Sequence, residues 1–428
     1  MEPASTAPSW GPAKRLFFRF AFCYLILYIF PFPLDFIPGP FFEDLPVKIW
    51  DPLVVQAGRH LFGTEITVRP NGSGDTTWNY VQVFCIFALA LVSAAVWTLL
   101  DRKRRDYTRL QQGLLAFVRL RLAAAMVQYG AYKVIQAQFP GPVFADLLQT
   151  FGGSSPMGLL WRFMGASKAY NVFTGAAEML GGLLLIARRT TLLGALVCIG
   201  VMSNVFLLNM CYDVPVKLYS FHLLAMAVFL ALPGLRRLAD VFLWNREAEP
   251  VRPQPLFPGR LHGTALALRT VLILGITGLT LSAAYEGATK YGDLAPRPPL
   301  YGLWEVDELE MDGKVLPPLI TDPVRWRRVM FEAPEILSLH LMDDSKDDAQ
   351  RYYRLVLDPQ KRTLQLTGFR DKKPVSALAY HQPAPGLLAL EGTYDGHKVK
   401  AKLRRADDSR FLLKTRGFHW INEYPFNR

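Results

Sequence analysis

Seven apolar runs constrain this 428-residue chain more than any other feature, each about as long as a bilayer core is thick. They cover Leu16–Phe30, Trp78–Leu100, Leu114–Ile135, Ala169–Ala187, Thr191–Cys211, Val216–Leu232 and Gly263–Ala284. A helix of roughly 20 residues crosses that core, so the pattern predicts a multi-pass, all-α membrane bundle of about seven transmembrane helices. Composition agrees: 51% of residues are hydrophobic, and a soluble globule is rarely this apolar.

Charge then sets orientation. Residues 1–290 hold 26 basic and 16 acidic residues, against 22 and 20 in residues 291–428. The excess lies between the apolar runs, which points to membrane topology and away from nucleic acid. Lys14, Arg15 and Arg19, then Arg102–Arg105 and Arg109, then Arg188 and Arg189, then Arg236, Arg237, Arg246, Arg252 and Arg260 fall on one side. Only Lys48, Arg59, Arg69, Arg162 and Lys168 fall on the other. The bias predicts a cytoplasmic N-terminus in a plasma (inner) membrane, and seven spans then place the C-terminal domain outside the cytoplasm. Pro31-Phe32-Pro33 follows the first run where a signal peptide would carry small residues, so that run is expected to be a retained span.

The boundaries follow from these runs. Residues 1–113 form a two-helix segment with an outer loop, in which Phe41–Phe62 reads as a surface helix and Asn71-Gly72-Ser73 fits a glycosylation sequon. Residues 114–233 form a four-helix core. Its 136–168 connection is expected to carry a short helix, opened by Ser155-Pro156, that covers the bundle. Residues 234–262 are a cytoplasmic linker, with four prolines in Glu247–Pro258, and residues 263–290 are the seventh span.

From residue 296 the period changes. Alternating runs at Trp304-Val306, Leu309-Met311, Tyr353-Leu357, Leu364-Leu366, Leu388-Leu390 and Val399-Leu403 are separated by Asp312-Gly313, Asp358-Pro359 and Asp395-Gly396. Such turns predict hairpins, and eight or nine strands make an antiparallel β-barrel or sandwich over 296–428. Gly302-x-Trp304 near its start and Arg416 near its end resemble the lipocalin-like barrels, in which a late Arg covers such a Trp and closes the barrel end. The aromatic stretch from Phe418 to Phe426 either docks at the membrane or plugs the barrel.

Polar residues inside the spans need a reason, since each costs a few kcal/mol there, about 3 for a central charge. Arg121, Gln128 and Lys133 lie in the third span, Glu178 in the fourth, Asn204 in the fifth and His222 in the sixth. Glu178 is expected to pair with Arg121 or Lys133, and His222 to bond within the bundle, Asn204 being the expected partner. Two readings of this group are open: a pocket for a headgroup or for protons, or an ion pair that only fixes helix packing. Cys211, Asp213 and His222 gather near one turn but lack a diagnostic metal-ligand spacing, so no metal site is assigned. The four cysteines form no Cys-x-x-Cys pair, which leaves a thioredoxin motif or zinc site unsupported.

Arg121…Gly130-x-x-Lys133, followed by Glu178-x-x-Gly181-Gly182 and Arg188-Arg189-Thr190, resembles the DoxX-like membrane proteins over residues 114–233. The resemblance implies a four-helix core and a link to quinone-dependent oxidation or to redox and envelope complexes. It implies quinone or lipid as the ligand, with Arg121, Lys133 and Glu178 facing a ring carbonyl. Membrane lipids, and a protein partner bound through the β domain, are the expected partners. A non-enzymatic assembly scaffold is the second reading, and a small-solute transporter a weaker third.

Overall fold

A computed structural model describes residues 10–67, 72–248, 260–290, 292–343, 350–369 and 374–427. The sequon residue Asn71 and most of the proline-rich linker lie outside them. The longer helices are α1 (Pro12–Ile29), α2 (Leu45–Phe62), α3 (Thr77–Leu100), α4 (Thr108–Val134), α5 (Pro156–Ala166), α6 (Lys168–Ile186), α7 (Thr191–Cys211), α8 (Lys217–Ala231) and α9 (Arg260–Lys290). All but α2 and α5 belong to segments long and apolar enough to cross a membrane, which gives seven among the described residues.

Local chemistry sets several ends. Thr76 and Asn79 form a reciprocal capping box that starts α3. The Ser155 hydroxyl accepts from the Gly158 amide ahead of Pro156, the expected start of α5. Gly63, with φ +62°, closes α2 in the left-handed conformation that only glycine adopts freely. Along α2, Trp50, Val54 and Gly58 form one buried stripe, and Trp50 and Val54 pack with Trp78, Val81 and Cys85 of α3.

The chain divides into two compact units: residues 1–135 with 172–284, and residues 136–171 with 285–428. The 136–171 connection therefore belongs to the same compact unit as the β domain. Its reason is apolar. Phe144 and Ala145 are buried against Leu303, Met330 and Ala406, which do not belong to the barrel's interior cluster. Asp293 accepts from the Gly141 amide at 2.8 Å and pairs with Lys168 at 3.1 Å, tying both ends of the connection down.

The second unit is a barrel. Strands β1 (Gly302–Met311), β2 (Lys314–Val315), β3 (Trp326–Ala333), β4 (Ile336–Leu341), β5 (Gln350–Asp358), β6 (Thr363–Gly368), β7 (Pro374–His381), β8 (Leu387–Tyr394) and β9 (His397–Arg405) pair antiparallel in the order β2-β1-β3 and then serially to β9. Pairing of β1 with β9 closes an eight-stranded barrel, to which β2 adds a short edge. Asp312-Gly313 and Asp395-Gly396 both have positive φ at both residues, the geometry that tight hairpins need. The barrel's own side chains occupy its interior, among them Trp304, Trp326, Phe331, Tyr353 and Tyr394. The Tyr353 and Tyr394 hydroxyls meet there at 2.6 Å.

The closing arginine differs from the expectation. Arg416 lies beyond the last strand, bonded to Asn422 and 3.9 Å from the Phe426 ring centroid. Arg405 instead stands opposite Trp304 in the β1–β9 register. A Cβ on Gly302 would lie 3.3 Å from Arg405 Nε and 3.7 Å from Trp304 Nε1, so the glycine leaves room for both groups.

Glu332 on β3 accepts from the Ala145 amide at 2.8 Å and from the Ser338 hydroxyl at 3.3 Å. Burial raises its pKa despite these bonds. The folded unit therefore holds this proton to higher pH than the unfolded chain does. Its contribution is full below the unfolded value of 4.5 and is lost as pH rises through the folded value. Glu332→Gln should remove this loss, so its thermal midpoint gains on the wild type as pH rises above 4.5, followed by near-ultraviolet tryptophan signal.

Candidate functional site

Helices α4 and α6 run antiparallel and bring their backbones into close approach at Gly130, Gly175 and Gly182. A Cβ on Gly175 would lie 2.7 Å from Gly130 O, and one on Gly182 would lie 2.9 Å from Ala123 O. Only glycine permits this approach. Lys133 is three residues beyond Gly130 and Glu178 three beyond Gly175, so both sit on the facing sides. They form an ion pair, with Lys133 5% and Glu178 1% exposed. Of the two predicted partners of Glu178, Lys133 is the one observed.

Arg121 points elsewhere. Its Nη2 donates to the Tyr219 hydroxyl at 3.0 Å, and its guanidinium lies over the Phe32 and Tyr219 rings at 5.6 and 5.8 Å. The Asp35 carboxylate is close enough to act on its charge. Tyr219 stacks on Tyr129 at 5.8 Å, and Lys133 Nζ lies 5.9 Å from the Tyr129 ring centroid. The rings thus connect Arg121 to the ion pair.

His222 borders the same group. Its Nδ1 lies 2.6 Å from Leu218 O, which can only accept, so that nitrogen carries the proton of the neutral ring. Nε2 then accepts from the Tyr24 hydroxyl at 2.7 Å. The Tyr28 ring stacks on the imidazole at 3.8 Å between centroids. Asn204, the partner expected from sequence, is exposed on the outer face of α7. Asn209 is the buried asparagine of that helix, bonded to Ser220 at 3.0 Å. Gln128 is half-buried on α4.

Sequence reasoning missed Tyr24, Tyr28, Asp35, Tyr129 and Tyr219. The available signal was spacing: Tyr24 and Tyr28 share a face of α1, and Tyr219 and His222 share one of α8. The weak metal candidates disperse. Cys211 is exposed, Asp213 pairs with Lys217 at 2.9 Å, and His222 is engaged by Tyr24 and Leu218. No group of three His, Cys, Asp or Glu among the described residues is placed to hold a metal ion.

Fold and site together define a class: long apolar helices enclosing a charge pair between glycine-faced neighbours, joined to a closed barrel. Over 132 residues the chain is 32% identical to YwoB, an uncharacterized protein of Bacillus subtilis. The match covers 84% of that protein and 31% of this chain, and the chain belongs to its family. No family model matches the sequence, and no solved structure matches it.

The pair has a thermodynamic signature. Lys133→Met or Glu178→Met leaves one charged group buried without its counter-charge and should cost about 3–5 kcal/mol. Lys133→Met with Glu178→Met together should restore most of it. Denaturation of the detergent-solubilised protein checks this, and a double variant no better than either single one would show that the charges do not act as a pair.

Proposed function

We propose that this chain is a multi-pass membrane protein whose helical unit binds the headgroup of a quinone, as a subunit of a redox complex of the DoxX-like kind. One observation carries the reading. Arg121 Nη1 and Glu178 Oε2 are buried, and neither has a hydrogen-bond partner among the described residues. Buried polar atoms are normally satisfied, so a donor and an acceptor left over in one tyrosine-lined group suit a ligand with polar edges and a flat ring.

The chemistry fits the side chains. Arg121 Nη1 would donate to a ring carbonyl, and Tyr28, Tyr219 and His222 offer aromatic faces for the ring. The Lys133–Glu178 pair would hold and release a proton near that carbonyl. A bound quinone would supply two-electron redox chemistry, taking up two protons on reduction. The sequence carries no recognisable flavin, haem or iron–sulfur motif, so the electrons would come from a partner oxidoreductase. In this reading α1, α3, α4, α6, α7, α8 and α9 cross the membrane, with the N-terminus cytoplasmic and the barrel outside.

A scaffold role draws on a different observation. Trp420 is 90% and Tyr424 84% exposed in the C-terminal segment, a surface suited to a protein partner.

Wild-type protein purified in mild detergent should carry a quinone, seen by native mass spectrometry and absorbance. Arg121→Ala and Glu178→Gln should each reduce its retention at least about tenfold, the loss of one charge-assisted bond. A wild-type mass free of ligand would leave the scaffold reading in its place. For orientation, protease added to intact cells should remove a tag fused after Arg428 and spare one fused before Met1. The reverse pattern would invert the topology.

A further inference from the structure

A second cluster of charge lies in the helical unit, apart from the Lys133–Glu178 pair. Arg119 of α4, Arg188 of the α6–α7 turn and Arg269 of α9 line one cavity of about 470 Å³. Arg188 and Arg269 are both near enough to act on the charge of Arg119. Among the described residues, no Asp or Glu lines the cavity. Arg119 donates to the Thr191 hydroxyl at 3.2 Å, which fixes it but brings no negative charge. Arg269 Nε is buried without a hydrogen-bond partner among the described residues. Arg119 and Arg269, close together in apolar surroundings, repel one another, and an anion between them would offset that cost.

The rest of the cavity says which kind of anion. Its other walls are apolar, including Phe117, Leu120, Leu185 and Ile273. Leu120, Ala123, Ile186 and Ile273 also line a second, narrower furrow that continues between α4 and α9 past Val127, Ile276 and Thr277. The site therefore has a cationic end and an apolar track leading away from it. A free phosphate would use only the first, whereas a phospholipid uses both.

We propose that Arg119, Arg188 and Arg269 bind the phosphate of an anionic glycerophospholipid whose acyl chain lies in the furrow between α4 and α9. Arginine suits this ligand because its planar fork meets phosphate oxygens in pairs. Arg188 and its neighbour Arg189 belong to the basic side of the chain, so the lipid comes from the cytoplasmic leaflet, where anionic lipids attract such residues. The site is separate from the proposed quinone group. Total lipid uptake reports on the membrane reading, while the ratio between lipids reports on this site.

The test uses the full chain, stripped of lipid in mild detergent and titrated under native mass spectrometry. The probes are phosphatidylglycerol, phosphatidylcholine and inorganic phosphate. The wild type should retain phosphatidylglycerol at least about tenfold better than phosphatidylcholine. Arg269→Gln should reduce that preference about five- to tenfold, while Arg236→Gln, which alters an exposed arginine outside the cavity, leaves it unchanged. Equal retention of the two lipids by the wild type would overturn the proposal without any variant. So would an unchanged preference in Arg269→Gln, or displacement of lipid by millimolar inorganic phosphate, which would mark a site for the free anion.

Discussion

A charge pair sealed between two helices sets terms for everything around it. Lys133 and Glu178 each need the other, because either alone in an apolar bundle would carry a large desolvation cost. They meet only if α4 and α6 approach backbone to backbone, which requires Gly130, Gly175 and Gly182 where they stand. That approach fixes the register of the two helices, and the register delivers Tyr129 toward Tyr219 and Arg121 toward Phe32 and Tyr219. The polar group is thus a consequence of helix packing and a constraint upon it.

The barrel solves a different problem. A sheet must close or cover its edges, and here β1 pairs with β9 while the interior fills with Trp304, Trp326, Phe331 and two tyrosines. Its outer face is not uniformly polar. Leu303 and Met330 need cover, and residues 136–171 supply it with Phe144 and Ala145. Glu332 fastens that cover by accepting the Ala145 amide, which is why a carboxyl group is buried at an otherwise apolar contact.

The features written locally in the chain were legible from sequence. Apolar runs gave the seven helices long and apolar enough to cross a membrane, Asp-Gly pairs gave hairpins, and helix spacing offered Lys133 as one of two partners for Glu178. What stayed hidden depends on which elements meet. Tyr24 and Tyr28 matter because α1 lies beside His222, a contact about 200 residues away in sequence. Asn204 reads like Asn209, yet five residues turn a helix by about 140°, and that rotation separates an exposed position from a buried one. Arg416 lies beyond β9, which stops at Arg405, so which arginine stands opposite Trp304 depends on a strand end that local pattern does not mark. The 136–168 connection reads from sequence as part of the helical core, whereas its Phe144 and Ala145 pack on a surface encoded far downstream.

That last feature bears on the order of synthesis. Residues 136–171 leave the ribosome well before any strand of the barrel, with α6 through α9 made in between. At about 5–20 residues per second they wait on the order of ten seconds for the surface they will cover. During that interval Phe144 and Ala145 lack the Leu303, Met330 and Ala406 surface against which they end up buried. Completion of the barrel therefore marks the moment at which a segment from the first half of the chain is finally shielded, and the β unit is a product of the whole chain's synthesis, not an appendage added at its end.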